Sequence, residues 1–198
     1  MPGCRSRDGC RRLLAAMVKP MRQDPRTYFG KKTLIMGDVN SGKTRLTADF
    51  IAACCRAQRE NDLVILDLAP EPIRGIGGKL PPAPCRPALQ LTCPIIAPRL
   101  TGLHAEQIQQ LAEENARAIE PLLGKARNAG RSILVINDIT LYLQAGRLPR
   151  VIDLMALHTT CVINAYYGES LPPAPFTGHE RAQVLALAKR CHKVVRLG

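Results

Sequence analysis

Thr33-Leu34-Ile35-Met36-Gly37-Asp38-Val39-Asn40-Ser41-Gly42-Lys43-Thr44-Arg45 is the stretch on which the reading of the fold turns. An apolar run with strand character meets a short polar loop, and the residues after it repeat apolar side chains at helical spacing, with Leu46, Phe50, Cys54 and Ala57 on one face out to about Gln58. The spacing G-x-x-x-x-G-K-[ST] is met by Gly37, Gly42, Lys43 and Thr44. Such a loop suits an anion. Glycines let the backbone turn tightly and bring successive N–H groups close to phosphate oxygens, and the helix behind presents its positive end. Lys43 adds a point charge for the β and γ phosphates, and the Thr44 hydroxyl suits Mg²⁺.

Outward from this loop, short apolar runs alternate with longer helical patterns, as when parallel strands are buried on both faces by crossover helices. The runs are residues 33–36, 63–66, 132–136, 160–163 and 193–197. They predict an α/β fold: a doubly wound, mainly parallel five-stranded sheet in a three-layer α/β/α sandwich. A long helix is expected over residues 104–129, with Pro121 kinking it and Gly130 ending it, and a shorter one over 150–158. Thr177 and Glu180 have capping-box spacing at the start of a last helix. Residues 69–102, with eight prolines, form an irregular segment of the length that is usually functional or disordered.

In motif and element order, residues 30–198 resemble the P-loop NTPase superfamily, with its RecA-like branch favoured; no narrower family suggests itself. The resemblance implies a nucleotide at the carboxyl ends of the strands, its phosphates held by Gly37, Asp38, Val39, Asn40, Ser41, Gly42, Lys43, Thr44 and Arg45, with Lys43 also catalytic. The apolar strand 132–136 followed by Asn137-Asp138 looks like a Walker B element; Asp138 is the expected Mg²⁺-side carboxylate beside Thr44, with Asn137 able to exchange roles with it. By the same resemblance Asp67 or Glu71, near the end of the second strand, would position an attacking water, and Asn164 would sense the γ-phosphate. No N/T-K-x-D sequence is present, so ATP is favoured over GTP.

The net charge of +12 does not by itself argue for nucleic acid. Residues 1–32 carry nine Lys/Arg against Asp8 and Asp24, a surplus of +7, leaving only +5 for the rest of the chain. Residues 1–29 therefore read as a basic, flexible tail before a single domain over 30–198. No run of ~18 apolar residues argues for a membrane span. Cys54, Cys55, Cys161 and Cys191 fall in apolar stretches, where free thiols behave as small hydrophobes, and a reducing cytoplasm is the expected compartment. No cysteine pair has the C-x-x-C spacing of a zinc site.

Three activities fit these features. The first is a Mg²⁺-dependent ATPase that couples nucleotide state to a protein partner through residues 69–102, with a homo-oligomer as a further expectation. The second is a phosphotransferase whose small acceptor sits against the same segment. The third is a switch or assembly protein that binds ATP and hydrolyses it negligibly.

Overall fold

The structure is a computed structural model that describes residues 24–198. Residues 1–23 of the basic tail lie outside the described residues. The last residues assigned to that tail belong to the fold: a 3-10 turn, Pro25–Tyr28, brings Tyr28 to full burial against Phe50, with ring centroids 6.0 Å apart. Charge counting misses this because one buried ring outweighs several exposed charges.

Six parallel strands form one sheet in the order β3-β2-β4-β5-β1-β6. They are β1 (Lys32–Gly37), β2 (Leu63–Asp67), β3 (Leu89–Leu91), β4 (Ile133–Asn137), β5 (Thr160–Tyr166) and β6 (Lys193–Leu197). Five coincide with the apolar runs. The sixth, β3, corrects the expected count of five; Leu89 and Leu91 are only partly buried on an edge strand inside the proline-rich segment, too short to show a period.

Successive strand residues face opposite sides of the sheet, and each side has its own apolar cluster. Ile35, Ile65, Val135 and Val162 pack with Phe50, Ile51 and Cys54 of helix α1 (Lys43–Arg56). Leu34, Met36, Leu134, Ile136 and Ile163 pack on the other side, against α3 (Ala105–Asn128), α4 (Thr140–Leu143), α5 (Leu148–Ala156) and α6 (Thr177–Ala188); the short α2 (Pro98–Thr101) precedes α3. The path from β1 to β2 moves leftward through the order and uses α1; the later steps to β4, β5 and β6 move rightward and use the opposite face. Right-handed crossovers require this exchange of faces when the direction of travel reverses. The reversal falls between the adjacent strands β1 and β5, and a crevice opens at their carboxyl ends.

Of the expected helix-end signals, one forms and one does not. Pro121 sits inside α3 without ending it, and Gly130, at φ +60°, follows its C-cap as foreseen. The capping box at Thr177 and Glu180 does not form: Phe176 is the N-cap residue, with no side-chain cap bond, and Glu180 is drawn into a buried ion pair with Arg99. A buried guanidinium competes for that carboxylate more strongly than a helix-end N–H.

Candidate functional site

The loop after β1 delivers its backbone to the crevice and is held there from below and from the side. Gly42, at φ 94°, makes the left-handed turn into α1 that a side chain would resist. Asp38 turns away from the crevice: its carboxylate accepts from Val39 N at 2.6 Å, Glu169 N at 3.1 Å, Ser170 N at 3.2 Å and Ser170 Oγ at 2.8 Å. Burial alone would push this carboxyl up, but the four donors outweigh it and hold it below its ordinary value. Asp38 thus pins the loop to the segment after β5, where Gly168 leaves the carboxylate room; a Cβ there would stand 2.2 Å from Asp38 Cγ.

Val39 to Thr44 line a cleft of about 410 Å³. The far wall comes from the irregular segment, through Gly77, Gly78, Lys79, Pro98, Arg99 and Leu100, and the floor from Asp138, Thr140, Gln144 and Asn164. Asn115 of α3 fixes that wall, accepting from Ile96 N at 3.1 Å and donating to Ile96 O at 2.8 Å. Lys43 Nζ folds onto the loop, donating to Asp38 O and, at 3.4 Å, to Ser41 Oγ. Burial lowers the Lys43 pKa, while Asp138 and Asp38 pull the other way.

Asp138 follows β4 in the left-handed region, φ 58°, which Asp tolerates better than most residues. Its Oδ1 is buried and accepts no hydrogen bond. Burial pushes the carboxyl up to about 6, against the opposing pull of Lys43 and of the Thr140 hydrogen bonds. A carboxylate short of donors, on the same cleft as the Thr44 hydroxyl, suits a cation such as Mg²⁺, so the residues present fit that ion. The direct partner of Thr44 Oγ1, however, is Asn137 Oδ1 at 3.4 Å.

The remaining expected residues fall in different places. Asn164 lines the cleft, but both of its amide hydrogens are engaged, on Thr47 Oγ1 at 2.9 Å and Asn137 Oδ1 at 2.7 Å, while its Oδ1 accepts from Asp138 N at 2.8 Å. Asp67 is buried behind the cleft, bonded to Asn137 and Leu80 N, and Glu71 is exposed and outside the lining. Arg45 points to solvent and Gly37 is buried beneath the loop. A Cβ on Gly37 would meet Leu197 O at 2.5 Å, so that glycine serves the approach of β6.

Arg99 was not foreseen. It is buried in the cleft wall, bidentate to Glu180 at 2.8 and 3.0 Å, donates to Thr177 Oγ1 at 3.2 Å, and lies 4.7 Å from the Phe176 ring centroid. Nothing local in Pro98-Arg99-Leu100 distinguishes it from a surface arginine; the one available signal was Glu180, which helix spacing assigned to a cap.

Cys55 is also not the free apolar thiol expected, because it forms a disulfide with Cys85 that ties α1 to the irregular segment. Cys54 and Cys161 are buried free thiols, both pushed up to about 12 by burial. No helix among the described residues is long and apolar enough to cross a membrane, and no group of three or more His, Cys, Asp or Glu among them is placed to hold a metal.

No protein-family model matches the chain, and no curated protein matches it significantly.

Proposed function

We propose that this chain binds ATP as a P-loop NTPase of the RecA-like branch, with the loop Val39 to Thr44 around the phosphates and Thr44 and Asp138 on the side of Mg²⁺. The observation that carries this reading is the placing of a complete G-x-x-x-x-G-K-T loop between β1 and α1, at the crevice where the crossover faces exchange. The strand order supports the branch: β5 stands between β1 and the Asp138 strand, β4, whereas a kinase-like order would set those two side by side. When bound, Mg²⁺ would supply positive charge against the developing charge on the phosphates.

The chain's own groups divide the work. Backbone N–H groups of the loop and Lys43 bind and orient the phosphates, Asp138 orients water or the ion, and the wall from Gly77 to Leu100 excludes solvent. Within this reading, binding with negligible hydrolysis is favoured over rapid turnover by a specific feature: Asp67 and Asn164 are committed to internal hydrogen bonds, and Glu71 lies off the cleft.

Calorimetric titration with Mg·ATP and Mg·GTP tests the reading. ATP should bind more tightly than GTP, and Lys43→Ala should weaken ATP by about a hundredfold, near 2.7 kcal/mol, with an unchanged melting temperature. Unaltered ATP affinity in that variant would sink the assignment. Phosphate release without an acceptor separates an ATPase from a switch, and release only with an acceptor marks a phosphotransferase.

A further inference from the structure

Asp67 closes β2 and Asn137 closes β4, and the register sets them side by side in neighbouring strands. Asp67 Oδ1 accepts from Asn137 Nδ2 at 2.7 Å, and Asp67 Oδ2 accepts from Leu80 N at 2.9 Å. A carboxylate only accepts, so this contact fixes which way the Asn137 amide points. The NH₂ faces Asp67, with Gly78 O at 3.4 Å, and Oδ1 faces Thr44 Oγ1 at 3.4 Å and Asn164 Nδ2 at 2.7 Å. Asn164 in turn holds the backbone N–H of Asp138.

We propose that Asp67 and Asn137 form a charge-displaced positioning pair: the negative charge sits one strand away from the Thr44 hydroxyl, on Asp67, and a neutral amide oxygen is presented to Thr44 in its place. The inference rests on the nucleotide reading of the loop and goes beyond it in two respects. With a neutral oxygen beside Thr44, Asp138 is the one carboxylate among the cleft-lining residues and is left to orient the divalent ion alone, so that ion strengthens nucleotide binding less than it would with a carboxylate at position 137. The bond from Leu80 N also fastens the end of the 77–80 wall to the same pair, so wall and phosphate-side hydroxyl share one buried network.

The geometry provides its own test, because exchanging the two residues preserves the network with the charge moved. In Asp67→Asn the new amide must turn an NH₂ toward Leu80 N or toward Asn137 Nδ2, setting donor against donor. In Asn137→Asp two carboxylates meet across the 2.7 Å contact. In the double variant, the amide at 67 donates to the carboxylate at 137 and accepts from Leu80 N, while that carboxylate still accepts from Asn164 and Thr44.

The measurements are ATP affinity of the full chain in Mg²⁺ and in EDTA, and the nucleotide-free melting temperature. Wild type should change its ATP affinity by less than about tenfold on removal of Mg²⁺. Both single variants should melt lower, the double should regain most of that loss, and its ATP affinity should become dependent on Mg²⁺ by more than about tenfold. A double variant that melts no higher than the worse single, or whose affinity is as indifferent to Mg²⁺ as wild type, overturns the pair. Wild type that binds no ATP in either condition overturns the nucleotide reading instead.

Discussion

Replacing Glu180 by Leu should be among the most damaging single changes in the molecule, although position 180 lies on a helix remote in sequence from the loop after β1. The Glu180 carboxylate receives Arg99 Nη1 at 2.8 Å, Arg99 Nη2 at 3.0 Å and Gln144 Nε2 at 2.9 Å. The two charged side chains are only 5% and 1% exposed, so water cannot replace the lost acceptor. Removing one partner of a pair this deeply buried costs about 3–5 kcal/mol, because it leaves an uncompensated guanidinium. For a domain of this size that lowers the melting temperature by roughly 6–20 °C. The Phe176 face, 4.7 Å from the guanidinium, shelters the cation only in part, which places the expected value toward the lower end. Paired replacement, Arg99→Met with Glu180→Leu, should recover most of the loss, since apolar side chains of similar volume satisfy a buried site as well as an ion pair does. Urea denaturation, with midpoint and slope fitted together, measures all three proteins. A loss below about 1 kcal/mol for Glu180→Leu, or a double variant no better than the single, would refute the assignment of a buried, mutually dependent pair.

Two further predictions concern the rest of the scaffold. Cys85→Ser, or addition of a reductant, should cost up to about 3.7 kcal/mol by the loop-entropy relation, because the Cys55–Cys85 bond closes a separation of 30 residues; equal melting temperatures with and without reductant would contradict it. His158 is buried, and burial foremost holds its pKa below the ordinary value of about 6.5, with Leu154 O opposing and Lys32 adding to the effect. The unfolded chain therefore takes up this proton first. Its contribution to stability should be complete above about pH 6.5 and decline as the pH falls through that value; the decline should be smaller in His158→Asn, and an identical pH profile in the variant would contradict the assignment.

Where local chemistry decided the outcome, the sequence was legible. Strands buried on both faces announce themselves as apolar runs, and Gly42-Lys43-Thr44 declares a strand-to-helix turn from its own composition. What stayed hidden depends on contacts between residues far apart in the chain. Glu180 reads as a cap because its true partner, Arg99, is 81 residues away. Cys55 reads as a core thiol because Cys85 reaches it only after the proline-rich segment has wrapped back along α1's face, with Leu80 entering the cluster there. Asp67 reads as a candidate for the cleft because its position near a strand end is visible, whereas the direction of its carboxylate is settled by Leu80 N and Asn137.

The same long-range contacts decide how the cleft balances charge. Three cations border it, and two are spent within the protein: Arg99 on Glu180, and Lys79 on Thr92 Oγ1 at 3.1 Å and Asp67 O at 3.5 Å. Lys43 remains, held against the loop carbonyl of Asp38, where an incoming phosphate can compete for it. Arg150 is paired with Glu120 at 3.3 Å and lies outside the cleft lining. A polyanion entering here therefore meets mainly backbone N–H groups, one helix end and one lysine. On the proposed reading, such a site suits retention of a nucleotide better than rapid transfer of its terminal phosphate, which calls for further positive charge as the bond breaks. Catalysis on this scaffold would need that charge from outside the described residues, by an ion or by a partner's arginine, and the acceptor-free phosphate assay, run with and without added Mg²⁺ and over a range of protein concentration, separates the two sources.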